Sequence, residues 1–141
     1  MRPAAFRRLV RTLASRAFPT EDSNPFDELA VVLTDDAAMP AFKAGCFGVR
    51  VQTDVMVQAY EAVPGVCAAT AELVLNAERA RAEGKSRPGG SARELALYLA
   101  HGLDHLAGHD DETPARRRAM RHRETAWLDA DPAAYRGILA K

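Results

Sequence analysis

A short segment in the second half of the chain holds three of its four histidines, and it constrains the fold more than any other feature. The segment reads His101-Gly102-Leu103-Asp104-His105-Leu106-Ala107-Gly108-His109-Asp110-Asp111. On a helix, His101 and His105 lie one turn apart on the same side, while the leucines form a separate stripe. The spacing therefore predicts a helix that buries its leucines and turns two imidazoles to another side.

Two imidazoles one helical turn apart can bind the same divalent metal ion. Gly108 lies just beyond the last predicted turn, where a glycine in the left-handed conformation ends a helix and reverses the chain. This reversal brings the side chain of Asp111 back toward the histidines. The pattern predicts a site of His101, His105 and Asp111 with one coordination position open for water, which is typical of a catalytic metal.

Other interpretations of the same segment stay open. His109 and Asp110 are alternative third ligands, and a surface histidine pair followed by a solvated acidic turn is the alternative without a metal. The pattern also approaches the zinc-protease motif, in which a glutamate follows the first histidine and acts as the general base. Because Gly102 occupies that position, the pattern favours hydrolytic chemistry other than peptide cleavage.

Length and composition are typical of an ordinary globular protein. With 141 residues, 48% of them apolar, we expect one domain over 1–141. Nineteen basic residues balance nineteen acidic ones, so net charge indicates no particular partner. Apolar runs are far shorter than the roughly 18 residues that cross a bilayer, and the N-terminus lacks the apolar stretch of a secretory signal. We expect a cytoplasmic monomer, with no membrane contact and with Cys46 and Cys67 as unpaired buried thiols.

Hydrophobic periodicity and turn residues predict the elements. We expect helices at 4–17, 37–44, 77–83, 91–107 and 113–128, strands at 29–33 and 72–76, and a strand or hairpin at 49–60. Ser91 with Glu94, and Thr113 with Pro114, are the predicted starts of the last two helices. The order predicts an α+β fold in which a small mixed β-sheet packs with about five helices. We expect an N-terminal amphipathic helix within residues 1–18 and a C-terminal tail at 129–141. The metal site is expected at the end of a central helix.

The histidine segment resembles the motif H-G-x-x-H-x-x-G-Y-D-H of the YbeY-type bacterial rRNA maturation endoribonucleases. Residues 52–59 are similar to the P-T-D-V-L-S-F-P segment of this family, and residues 71–76 to its G-D-I-V-I-S strand. The strand at 29–33, with the acidic end that follows it, is similar to the first conserved strand. The resemblance covers about residues 26–128. The resemblance implies one Zn²⁺ ion held by His101, His105 and Asp111. It also implies that the protein hydrolyses RNA phosphodiester bonds in the maturation of ribosomal RNA, with RNA of the small ribosomal subunit as its partner.

The chain also departs from the family pattern. The third metal histidine of the family falls at Asp111, and the arginine of the family's Y-R-G segment falls at Phe47. Arg50 is the nearest replacement for binding a phosphate, and Asp110 or Glu112 would orient the attacking water. The alternative is a non-catalytic ribosome-associated or RNA-associated factor that keeps the metal-binding fold.

Arginine is the main basic residue, with sixteen arginines against three lysines. Five of them crowd the helix that follows the metal loop, at Arg116, Arg117, Arg118, Arg121 and Arg123. Such a surface is suited to the RNA backbone. The alternative is a solvated helix face. Trp127, on the same helix, is expected to anchor the core.

Overall fold

Helices surround a small sheet in the computed structural model, which describes residues 1–41 and 54–139. These residues form the α-helices α1 (Pro3–Ala17), α2 (Ala77–Gly84), α3 (Gly90–Leu106) and α4 (Pro114–Ala130), the strands β1 (Glu28–Thr34), β2 (Val55–Tyr60) and β3 (Thr70–Asn76), and 3-10 turns at Glu21–Ser23 and Pro132–Ala134. Along the chain, α1 precedes β1, the three strands precede α2, and α3 and α4 follow.

The sheet is mixed and has the strand order β1-β3-β2. Strand β3 pairs with β1 in parallel, with Val31 opposite Leu73, and with β2 in antiparallel, with Val57 opposite Leu73. Because β3 has neighbours on both sides, it is the most buried strand, and Leu73 and Leu75 are fully enclosed. The predicted α+β fold with a small mixed sheet is confirmed.

Helix α3 lies across the sheet and carries the leucine stripe predicted from the sequence. Leu95, Leu99 and Leu103 are completely buried in the main core. Gly102 allows the close approach of helix and sheet, since a β-carbon there would lie 3.0 Å from Leu73 and 3.3 Å from Val55. The position after the first histidine therefore faces the core.

Most predicted elements are confirmed, but one predicted helix start is wrong. Helix α3 begins at Gly90 and has no side-chain cap. The Ser91 hydroxyl instead donates to the carbonyl of Arg81 at 2.8 Å, and the Glu94 carboxylate accepts from Arg87. Contacts with α2, for Ser91, and with the loop after it, for Glu94, thus replace the local capping box. Thr113 does cap α4, because its hydroxyl oxygen accepts from the Arg116 amide at 3.1 Å.

Residues 42–53 lie outside the described residues, and with them the end of the predicted 37–44 helix, from position 42 on, and the first part of the predicted 49–60 strand. Cys46 and Arg50 belong to that segment.

Cys67 has a free thiol, but the expectation of burial is wrong, because the residue lies exposed in a turn bridged to Val63. Trp127 packs against the main core as predicted.

The C-terminal tail packs against the N-terminus of the chain. Ile138 is fully buried in the main core, and its carbonyl accepts from the amide of Arg2 at 2.8 Å. Within residues 1–41 and 54–139, none of the helices combines the length and the apolarity that a membrane span requires.

Candidate metal centre

The last turn of α3 and the loop after it bring three potential ligand atoms together. Nε2 of His101 and Nε2 of His105 are 3.0 Å apart, and Oδ2 of Asp111 lies 3.8 Å from the first and 3.9 Å from the second. A point equidistant from atoms with these separations is about 2.1 Å from each, within the usual Zn–N and Zn–O distances of about 2.0–2.2 Å. The three ligand atoms therefore lie close enough together to hold one metal ion.

Gly108 reverses the chain as the sequence predicts. Its φ of +101° lies in the left-handed region, and its amide donates to the carbonyl of His105 at 3.0 Å. A side chain is strained in this conformation, which glycine adopts readily. The turn allows the loop to return over the end of α3 and places Asp111 beside both imidazoles.

The second nitrogen of each imidazole lies beside an oxygen acceptor. Nδ1 of His101 is 3.0 Å from the carboxylate of Glu124, and Nδ1 of His105 is 3.1 Å from the backbone carbonyl of His109. Acceptors at Nδ1 favour the neutral tautomer that carries its proton there, and Nε2 then directs its lone pair to the point shared with Asp111. Such contacts fix the orientation of metal-binding histidines.

Burial and neighbouring carboxylates determine the charge of the His101–Glu124 pair. Burial by itself lowers the pKa of His101, but the hydrogen bond and charge of Glu124, with the charges of Asp111 and Asp54, outweigh it and raise that pKa. Burial raises the pKa of Glu124 to about 7, against the opposing effect of the His101 hydrogen bond. Several carboxylates thus face this end of α3, which favours a cation there.

A second buried carboxylate lies behind the site. Asp104 is completely buried, and its two oxygens accept from Nε and Nη2 of Arg123 at 2.8 and 3.2 Å. The sequence pattern gives no signal for the burial of Asp104, because at 100° per residue this position lies off the leucine stripe of α3. Nothing in the local spacing indicates that Arg123 and Glu124 of α4 are the residues that meet α3.

The alternative third ligands point elsewhere. Nδ1 of His109 is 2.9 Å from Oδ1 of Asp104, away from the two facing imidazoles. Both carboxylate oxygens of Asp110 accept from Arg116, at 3.2 and 3.3 Å, and Oδ1 also accepts from the amide of Glu112. Of the three candidates, the structure brings Asp111 to the histidines.

Comparison with known proteins identifies the family. The sequence model described as Endoribonuclease YbeY matches residues 2–130. The chain belongs to the YbeY family. The Endoribonuclease YbeY of Rhodopirellula baltica is 36% identical over 100 residues, which are 70% of this chain and 50% of the relative. That of Roseiflexus castenholzii is 29% identical over 129 residues, which are 86% of this chain and 81% of the relative.

A further YbeY relative, from Anaeromyxobacter dehalogenans, is 36% identical over 108 residues that cover 74% of this chain and 54% of the relative. The chain thus spans about half the length of the first of these relatives. The predicted membership of the YbeY family is confirmed. Arg50, the nearest replacement for the family arginine that falls at Phe47, lies outside the described residues.

The helix after the metal loop carries four exposed arginines among the five that the sequence predicts to form a basic surface. Arg118 and Arg121 are exposed on α4 and form no ion pair with any described residue. Arg117 reaches back to the loop, where its Nη1 donates to the carbonyl of Asp111 at 3.1 Å. Arg123 is turned inward to Asp104, so the predicted basic surface consists of four arginines and not five.

Proposed function

We propose that this protein is a metal-dependent endoribonuclease that hydrolyses RNA phosphodiester bonds in the maturation of ribosomal RNA. One Zn²⁺ ion would be held by His101, His105 and Asp111. The observation that carries the proposal is the convergence of Nε2, Nε2 and Oδ2 within 3.0–3.9 Å of one another. We also propose that the chain acts as a single-domain monomer in the cytoplasm, with RNA of the small ribosomal subunit as its partner.

The bound ion would supply a Lewis acid for the phosphoryl oxygen and a water of lowered pKa as the nucleophile. Glu124 keeps the proton of His101 on Nδ1, and the His109 carbonyl does the same for His105. We assign the orientation of the attacking water to Asp110, which adjoins the ligand Asp111 in the sequence and pairs with Arg116. Arg50 would neutralise the phosphate through its planar guanidinium.

The environment of Gly102 supports a nuclease over a metalloprotease. In the protease motif, the residue at this position is a glutamate that acts as the general base. Here a β-carbon would lie 3.0 Å from Leu73 and 3.3 Å from Val55, closer than ordinary van der Waals contact. A glutamate would have no room there, so this part of the motif serves the packing of helix on sheet.

A chelation experiment tests the proposal. The purified protein is incubated with a structured ribosomal RNA fragment, with and without EDTA, beside His101→Ala and the control His122→Ala, which removes an exposed histidine of α4. We expect cleavage that EDTA abolishes and that added Zn²⁺ restores. Of the two variants, only His101→Ala should eliminate cleavage.

The family arginine is replaced by Phe47, which favours a non-catalytic RNA-binding factor as second candidate. RNA binding without turnover, unchanged in His101→Ala, would support that candidate and contradict the nuclease.

A further inference from the structure

The carboxylate of Asp104 is the most enclosed charge near the metal centre. It is 0% exposed and lies on α3 between His101 and His105 in sequence, on the side away from the shared point. A buried charge is tolerated only when partners compensate its desolvation. Arg123 does so through two nitrogens, at 2.8 and 3.2 Å, and the imidazole of His109 adds a third contact at 2.9 Å.

His109 is attached to Asp104 at two points. Its backbone amide donates to the Asp104 carbonyl at 3.3 Å, and its imidazole lies against the Asp104 carboxylate. Between these attachments, the carbonyl of His109 meets Nδ1 of His105 at 3.1 Å. The residue that sets the orientation of the second imidazole is therefore itself held by a buried carboxylate.

We propose that Asp104, Arg123 and His109 form a positioning cluster that orients His105 and places Asp111 for metal binding. The inference rests on the proposed function, because it assigns these residues a role toward the metal. Arg123 and Asp104 alone would suffice to join α3 to α4. The side chain of His109 is 48% exposed and contributes little to that packing, so its contact with Asp104 serves the loop.

Adjacent residues of α4 thus act on both metal-binding histidines. Glu124 contacts His101 directly, whereas Arg123 acts on His105 through Asp104 and His109. Partners of this kind fix the ring orientation, and their loss typically weakens metal binding by about 10–100-fold. The cluster also explains why His109 is not a ligand, since its imidazole is directed to Asp104.

The test compares zinc affinity in three variants of the full chain. His109→Ala removes the contact with Asp104, His109→Asn keeps an amide nitrogen close to the position of Nδ1, and His122→Ala removes an exposed histidine as matched control. Zinc dissociation constants are measured by competition with a chromophoric chelator, and thermal unfolding of the metal-free proteins is followed in parallel. We expect His109→Ala to bind zinc about 10–100-fold more weakly. His109→Asn should recover most of that loss, and His122→Ala should match wild type.

The stability readout separates positioning from general damage, because we expect the metal-free His109→Ala protein to unfold within a few degrees of wild type. Equal affinities of wild type and His109→Ala would overturn the cluster. So would equal impairment of His109→Ala and His109→Asn, which is the result for a direct ligand. If wild type binds zinc and cleaves RNA but His109→Ala does the same, the positioning role alone fails. If wild type binds no zinc, the proposed function fails with it.

A double-mutant cycle tests the link to Asp104. Asp104→Asn leaves Arg123 without its counter-charge, so we expect a lower unfolding temperature as well as weaker zinc binding. Because both residues act through the same loop, Asp104→Asn with His109→Ala should bind zinc within about twofold of the weaker single variant. Losses that multiply would show independent actions and contradict the cluster.

Discussion

The buried carboxylate of Glu124 lies 3.0 Å from Nδ1 of His101, so the residue that orients the first imidazole comes from the next helix, 23 residues along the chain. The orientation of the metal-binding side chains of α3 therefore depends on contacts with α4 as well as on the loop that follows α3. This relationship makes the zinc affinity sensitive to residues that never touch the ion.

The first prediction concerns Glu124 itself. Glu124→Gln keeps the shape of the side chain but removes the negative charge beside Nδ1 of His101. We expect zinc to bind about 10–100-fold more weakly, as measured by chelator competition. Asp129→Asn, which neutralises an exposed carboxylate on the same helix, serves as control and should leave the affinity unchanged. Equal affinities of the two variants would contradict the role given to Glu124.

The second prediction separates the two neighbouring aspartates. Asp111→Ala should lose most of its bound zinc in elemental analysis, because one of three ligands is removed. Asp110→Ala should keep its zinc but cleave RNA about 100-fold more slowly, as for the loss of a group that orients water. Asp111→His supplies the family's usual ligand and should retain the metal. Equal zinc content in Asp111→Ala and wild type would exclude Asp111 as a ligand.

The third prediction concerns the core-facing glycine. Gly102→Glu should not create peptidase activity, and it should lower the free energy of unfolding by about 3 kcal/mol or more, because it overpacks the helix–sheet contact and buries a charge. Urea denaturation gives this value, with Ala126→Glu on the exposed side of α4 as a control that should change little. A stable Gly102→Glu protein would show that the close contact with Leu73 can relax.

The fourth prediction is a pH dependence of zinc binding. The pKa of His101 in the metal-free protein is raised above its ordinary value of 6.5, chiefly by the hydrogen bond and charge of Glu124 against the opposing effect of burial, so zinc binding below that raised pKa displaces a proton from the imidazole. The apparent affinity should therefore rise with pH through that raised pKa and level off above it, by up to about tenfold per pH unit for each proton displaced. Titrations between pH 5.5 and 8.5, about the range in which histidine changes charge, measure this slope. A flat profile would contradict binding through His101.

The fifth prediction addresses the basic face of α4. Arg118→Ala and Arg121→Ala should weaken RNA binding and reduce the salt slope of the affinity by about one each, if each arginine contacts one phosphate. Fluorescence anisotropy over a range of KCl concentrations gives the slope, and Arg16→Ala on α1 serves as the remote control. The metal content should not change in any of the three. Slopes equal to that of wild type would assign these arginines to a solvated face.

Short-range spacing in the sequence determined the parts of the site that lie on one helix and its loop. Residues four apart share a face of any α-helix, and a glycine after the last turn can reverse the chain, so His101, His105 and Asp111 could be grouped without a structure. The leucine stripe follows equally from local periodicity, and the order of the elements predicts the small mixed sheet.

Only the tertiary structure decided which groups surround these ligands. Glu124 and Arg123 reach α3 because α4 packs against it, and the spacing within either helix does not encode that register. Ser91 shows the same effect in the other direction, since a contact with α2 replaced the local cap that its sequence favours. Local patterns fix which residues share a face, whereas the partner of a buried charge depends on how two faces pack, and that is a property of the whole fold.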